Sequence, residues 1–217
     1  MTPENKTLLD VSLEIIGDRK WEKSAYASPS ICSYDLFFLT SLATNIGAEN
    51  IVEFGCGSTT AELSYRGFNL TTYSMGKSAG ASKSANVDYL QCDITKPAMR
   101  DIIRASIAKA DLLVIDADHS DKFAKYYHEN FLSVCGVSIW IHDYWSPRGG
   151  RVPHGEQGYL DAHVIGKTHN KRTQTDLPPD AVKIISEHIG FDIMPQYRKE
   201  AFNTNPGPRM CSVVLTR

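Results

Sequence analysis

Three short stretches of the sequence concentrate side chains able to do chemistry. The first is Glu53-Phe54-Gly55-Cys56-Gly57-Ser58-Thr59-Thr60. Its glycines let a backbone turn tightly and approach a ligand with no Cβ in the way. Ser58, Thr59 and Thr60 add hydroxyls at what would be a helix start, where backbone N–H groups lack partners. The other two stretches carry carboxylates and imidazoles: Asp116-Ala117-Asp118-His119-Ser120 and His142-Asp143-Tyr144. A neutral imidazole titrates near working pH, so His119 is the candidate general base, with the carboxylates Asp116 and Asp143 as the other candidate catalytic residues. The dinucleotide fingerprint Gly-x-Gly-x-x-Gly needs a third glycine where this chain has Thr60, and here an acid, Glu53, precedes the turn. Both differences argue against a pyrophosphate ligand. A second role for the glycines stays open, namely close packing of the following helix on the strand.

These residues need elements to position them. The turn at Gly55 follows a short β-branched strand, 50–54, and precedes a helix-compatible run, 61–66. Further strands are predicted at 70–74, 87–91, 112–116 and 137–143, with helices at 97–109 and 120–132 between them. Alternating strands and helices imply parallel strands with crossovers, because a parallel pair cannot be joined by a tight turn. Leu112-Leu113-Val114-Ile115 is apolar without alternation, as in a strand covered on both faces. The fold class is therefore doubly wound α/β, and Asp116 and Asp143 fall at the carboxyl ends of strands, the edge where such sheets bind ligands. Upstream, 7–16 and 34–45 read as helices, the latter stopped by Gly47. Downstream, 146–180 is rich in Gly, Pro, His, Arg and Thr with weak periodicity, the composition of a functional lid. A helix at 182–189 and strands at 191–196 and 210–215 close the chain. One domain is expected, divided into an N-terminal helical cap (1–48), a cofactor-binding core (49–145), an irregular insertion or lid (146–180) and a closing helix and strands (181–217).

With 217 residues, 42% hydrophobic and 22% charged, the chain can bury a sizeable core. A formal charge of −2 supplies no basic field, which disfavours nucleic acid as a partner. Lys20, Lys23, Arg148, Arg151, Lys171 and Arg172 are scattered as on a solvated surface, with a local anion-binding role open for the Arg148/Arg151 pair. Cys32, Cys56, Cys92, Cys135 and Cys211 are odd in number and lack Cys-x-x-Cys spacing, so neither a disulfide framework nor a zinc knuckle is indicated. Residues 1–10 are unlike a secretory signal, and no apolar run approaches the ~20 residues of a membrane helix. The expected compartment is the cytoplasm. The expected partner is a small-molecule substrate, not a membrane or nucleic acid. A homodimer is admitted, with the oligomeric state left open.

The order of the three stretches is similar to one family. Ile51-Val52-Glu53-Phe54-Gly55-Cys56-Gly57-Ser58-Thr59-Thr60 resembles the first motif of class I S-adenosylmethionine-dependent methyltransferases. Asp111-Leu112-Leu113-Val114-Ile115-Asp116-Ala117-Asp118-His119-Ser120 resembles the Ile-Asp-Gly-Asp-His-Ser strand end of a small-molecule O-methyltransferase subgroup. Ile139-Trp140-Ile141-His142-Asp143-Tyr144 resembles that subgroup's fifth strand. The resemblance, over roughly 30–145, implies a Rossmann-like, mostly parallel sheet with N-terminal helices and an antiparallel C-terminal strand. It implies S-adenosylmethionine as cofactor and methyl transfer to a small molecule, at a hydroxyl oxygen. It assigns Glu53, Gly55, Cys56, Gly57, Ser58, Thr59 and Thr60 to the pocket for the cofactor's amino-acid end, Asp93 to the adenine amine, and Asp116 to the cofactor as well. The acid that family members use to grip the ribose is missing. Tyr73-Ser74-Met75-Gly76 stands there, leaving Ser74 for that contact.

The same resemblance aligns Asp116, His142 and Asp143 with the ligands of a divalent metal, Mg²⁺ or Mn²⁺. Two roles compete for this trio. A metal would lower the pKa of a substrate hydroxyl, although imidazole suits Mg²⁺ poorly. Alternatively Asp116 holds the cofactor amine while His142 and Asp143 brace the strand end. His119 likewise is either base or helix-start cap. His154 and His163 lack ligand spacing and read as surface histidines. Tyr144 and Trp145 either wall an acceptor pocket or pack in the core. The rival functions are an NAD-dependent Rossmann oxidoreductase and a non-catalytic, methyltransferase-like partner subunit.

Overall fold

The computed structural model describes residues 33–76, 84–142, 144, 155–173 and 212–217. The predicted elements at 7–16, 182–189 and 191–196, together with Asp143, Trp145, His154, Arg148 and Arg151, lie outside the described residues.

The sheet is built from β1 (Asn50–Phe54), β2 (Asn69–Ser74), β3 (Val87–Gln91), β4 (Leu112–Ile115), β5 (Ser138–Ile141), β6 (Asn170–Thr173) and β7 (Val213–Thr216). Their order is β3-β2-β1-β4-β5-β7-β6. The pairs among β1 to β5 are parallel, and β7 runs antiparallel to both β5 and β6. Chain order reverses between β1 and β4, and in open α/β sheets this switch point opens a crevice beyond the carboxyl ends of the strands. The helices are α1 (Ser33–Asn45), α2 (Ser58–Tyr65), α3 (Pro97–Ile107), α4 (Asp121–Tyr127), which runs into a π-helical turn at His128–Leu132, and α5 (Gly155–His163). None of the described helices is long and apolar enough to cross a membrane.

The doubly wound expectation holds for physical reasons visible in the burial. All of β4 is buried and only Asn50 of β1 is exposed, as continuous apolar runs require when both faces are covered. α3 starts on Pro97, whose fixed φ suits a first helical position, and turns Ile103 and Ile107 into the core. α4 is capped by Ser120, whose hydroxyl accepts the Phe123 N–H at 3.1 Å. Its continuation brings Phe131 and Leu132 into the core, where the Phe131 ring lies 5.3 Å from that of Phe54. Burial of side chains this large contributes about 2 kcal/mol each. β7 is tied to α1 by Asp35, a buried carboxylate accepting both the N–H (3.1 Å) and the hydroxyl (2.6 Å) of Ser212.

Two boundaries differ from expectation in a way that matters for the site. β4 ends at Ile115 and β5 at Ile141, so Asp116 and His142 are the first residues beyond their strands. The segment 146–180, expected to be irregular, contains α5 and β6. β6 is an edge strand without one apolar residue, and α5 buries a glutamate beside Leu160. Neither presents the apolar period by which elements are recognised.

Candidate functional site

Strand register brings the three stretches together. Phe54 pairs with Ile115 and with Tyr73, and Ile115 with Ile141. The ladder continues one residue further: Gly55 N–H donates to Tyr73 O (2.9 Å), Asp116 N–H to Phe54 O (2.8 Å) and His142 N–H to Ile115 O (2.9 Å). Gly55 has φ +101°, and a Cβ there would meet the Asp116 carbonyl oxygen. Its glycine is therefore required by the close approach of the backbone at the end of β4, a contact distinct from helix-on-strand packing. Gly57 is different: a Cβ there would meet nothing within 4 Å.

A cleft of about 350 Å³ opens at the carboxyl ends of β1 to β4. Gly55 and Cys56 line it from β1, Ser74 from β2, Asp93 from β3, and Asp116 and Asp118 from β4. A larger cleft of about 570 Å³ lies at the opposite edge, lined by Asn50, Asn69 and Asn86, at the amino ends of the strands and away from the acid and histidine cluster.

Glu53, Thr59 and Thr60 lie beneath the turn, fully buried. The Thr59 hydroxyl lies 2.5 Å from Glu53 Oε1, and Thr60 (2.6 Å) and Thr72 (3.0 Å) donate to Oε2. Thr60 also accepts the Gly57 N–H at 3.0 Å. Glu53 thus holds the start of α2 to β1 and β2 and reaches the cleft through the turn it braces. Burial pushes its carboxyl up, its threonine partners pull it back, and the charge of Asp116 pushes it up again, leaving it at about 7. Ser58 is half-buried at the start of α2.

Asp116 is the hub. Its Oδ1 lies 3.0 Å from His142 Nδ1 and its Oδ2 3.0 Å from the Thr59 hydroxyl. Burial raises the Asp116 carboxyl, but His142, the Thr59 hydroxyl and the nearby His119 outweigh it and hold it below its ordinary value. The His142 ring stacks on Trp140 at 5.5 Å. Among the described residues, no group of three His, Cys, Asp or Glu side chains could hold a metal. Asp116 and His142 turn to each other, while Asp143, the third member of the trio, lies outside the described residues.

His119 is next in the chain after Asp118, which lines the cleft, and its Nδ1 lies 2.8 Å from Oε2 of the fully buried Glu156. The Tyr127 hydroxyl donates to the other oxygen of Glu156 at 2.8 Å. Burial and then the charge of Glu156 push that phenol well above its ordinary range, so it stays a donor. Sequence reasoning missed Glu156 and Tyr127. Ser120, not His119, caps α4.

Asp93 Oδ1 accepts the N–H (2.9 Å) and hydroxyl (2.6 Å) of Thr95, and these bonds hold its carboxyl below the usual range. Ser74 Oγ accepts the Gly76 N–H at 3.3 Å. Tyr144 is fully buried and donates to Asp161, which places it in the core and not on an acceptor pocket. His163 is exposed, with its ring 4.6 Å from that of Tyr159.

No protein-family model matches the sequence, and no curated protein matches it. Solved structures do. A Staphylococcus aureus protein assigned as a caffeoyl-CoA O-methyltransferase is matched over 98% of this chain and 92% of its own, at 10% identity and a TM-score of 0.51. An O-methyltransferase from Bacillus cereus, in complex with SAH, is matched over 78% and 84% at 17% identity, with a TM-score of 0.45. A MycE methyltransferase from the mycinamycin biosynthetic pathway, in complex with Mg, SAH and mycinamycin VI, is matched over 66% of this chain at 13% identity and a TM-score of 0.43. The chain spans only 30% and 39% of the length of two such MycE structures. With its strand order and its full-length match taken together, the chain has the Rossmann-like fold of the class I S-adenosylmethionine-dependent O-methyltransferases.

Proposed function

We propose that the chain is an S-adenosylmethionine-dependent methyltransferase acting on a hydroxyl of a small-molecule acceptor, with His119 as general base. The observation that carries this reading is the cleft at the switch point of the sheet, walled by Asp116 and Asp118 with His119 next in the chain. Its volume, about 350 Å³, is in the range of small-molecule sites.

The residues fit the cofactor in kind. The backbone at Gly55 and Cys56 takes its amino-acid end, Ser74 a ribose hydroxyl, and Asp93 the adenine amine, while Asp116 is held ionised and suits an ammonium group. When bound, the cofactor supplies a sulfonium whose methyl carbon accepts an oxygen electron pair as the carbon–sulfur bond breaks. His119 takes the acceptor's hydroxyl proton on Nε2, because Nδ1 faces Glu156. Alignment of acceptor and methyl carbon supplies much of the remaining acceleration. No step is routed through a metal. Of the three residues aligned with metal ligands, Asp116 and His142 are hydrogen-bonded to each other and Asp143 lies outside the described residues.

Calorimetric titration of the full chain with S-adenosylhomocysteine and with NADH tests the reading. Binding of the first and not the second is expected. Tight NADH binding with no response to S-adenosylhomocysteine overturns it. Once an acceptor is found, His119→Ala should lower kcat by about a hundredfold or more, and full activity in that variant would remove His119 from the mechanism.

A further inference from the structure

Glu156 is a carboxylate with no exposure at all, in the first turn of α5. An ionised group taken out of water costs several kcal/mol unless it is paired and hydrogen-bonded, and an apolar side chain could fill the same place without that cost. Glu156 meets the requirement through two side chains, His119 on Oε2 and Tyr127 on Oε1. A third contact sets the geometry: the Glu156 backbone N–H donates to the His119 carbonyl at 3.0 Å. α5 comes close enough for this because Gly155 packs on α4, where a Cβ would meet the Asp121 backbone nitrogen at 2.7 Å. Gly155 before it, the Glu156 backbone N–H and the Glu156 carboxylate therefore serve one end, bringing a buried carboxylate onto one imidazole.

We propose that Glu156 is the positioning residue of His119, accepting the Nδ1–H and thereby fixing the imidazole tautomer that makes Nε2 the basic nitrogen. An ionised carboxylate can only accept, so Nδ1 must carry the hydrogen whenever the pair is formed. When Nε2 takes up a proton, the imidazolium faces the Glu156 carboxylate across the same hydrogen bond and is stabilised there. Tyr127 occupies the other oxygen and keeps the carboxylate from rotating away from the ring. The functional meaning of the pair rests on the methyl-transfer reading. The assignment of tautomer and partner does not.

The test is nitrogen-15 NMR of the full chain with labelled histidine, at a pH where imidazole is neutral. The chain has 7 histidines, and the His119 signals are identified by their loss in His119→Gln. The wild type should show His119 in the Nδ1–H form. Glu156→Gln should keep it, because the amide oxygen still accepts. Glu156→Ala should move the ring toward the Nε2–H form that free imidazole favours. His119 in the Nε2–H form in the wild type overturns the proposal, and this measurement needs no variant to fold. A Glu156→Ala spectrum that retains the Nδ1–H form also overturns it. In turnover, Glu156→Ala should lower kcat at least about tenfold while S-adenosylhomocysteine affinity stays within about twofold of wild type, since Glu156 lies behind the base. Unchanged kcat would overturn the catalytic part. If the wild type fails to bind S-adenosylhomocysteine, the methyl-transfer reading falls and the NMR result still decides the Glu156–His119 assignment.

Discussion

A Cβ placed on Gly55 would lie 1.8 Å from the backbone carbonyl oxygen of Asp116. The turn after β1 and the end of β4 are thus in backbone contact, and this contact sets where Asp116 stands relative to Cys56 in the cleft. Gly55→Ala meets two obstacles at once, the positive φ of +101° and a rigid neighbour that is backbone. The expected cost is about 3 kcal/mol or more. Gly57→Ala is the control: its φ of −173° is ordinary extended backbone and the space around it is open. Its cost should stay within about 1 kcal/mol. Urea unfolding of both variants checks the pair, and equal losses would contradict the packing account.

The same contact explains which parts of the molecule were legible in the sequence. β1 and β4 are covered on both faces, so their apolar runs stand out, and the acid after β4 marks a strand end whatever its neighbours are. β6 is invisible by that criterion. Asn170, Lys171, Arg172 and Thr173 have no apolar member, and the strand pairs only with β7, where charged residues are the usual guard of an exposed edge. α5 escaped for a related reason, since one of its buried positions is the carboxylate Glu156. His119 was recognisable by its residue type, whereas its partner lies 37 residues away and no local spacing announces the pair. Glu53 stood out by its place before the turn, whereas the three threonines its carboxyl meets beneath the turn were not foreseen.

Glu53 makes a prediction about pH. The Thr59 hydroxyl has one hydrogen and lies within bonding distance of two carboxyl groups, 2.5 Å from Glu53 and 3.0 Å from Asp116. A proton on Glu53 resolves this, donated to Thr59 while Thr59 donates to Asp116. The Glu53 carboxyl accordingly sits at about 7, raised from 4.5 by burial first. For an acid whose folded value is raised, the folded state binds the proton more tightly than the unfolded chain. The stabilisation is complete below about 4.5 and is lost as pH rises to about 7. The full loss is on the order of 3 kcal/mol. Glu53→Gln carries a permanent neutral group and should lack that slope. Asp116, held below its ordinary value, loses its contribution only at lower pH and does not overlap this window. Urea titrations of both proteins between pH 4.5 and 7 measure the difference, and parallel stability curves would refute the assignment of a proton to Glu53.

The last prediction concerns the absent ribose acid and rests on the proposed function. Ser74 ends β2 on the cleft, and Met75 beside it is 70% exposed. A serine hydroxyl already holding the Gly76 N–H keeps one hydrogen to donate and a single lone pair to accept with, whereas a carboxylate at the same place could accept from both ribose hydroxyls. Hydrogen bonds to a charged acceptor contribute about 1.5–3 kcal/mol each, against roughly half that for neutral ones. Ser74→Asp should therefore tighten S-adenosylhomocysteine binding about tenfold, read by calorimetry. Its stability should change little, because the position opens on solvent at the cleft rim. Binding weakened or unchanged in a folded variant would mean that the ribose lies elsewhere, and would leave the cofactor's orientation in this cleft to be sought without the help of β2.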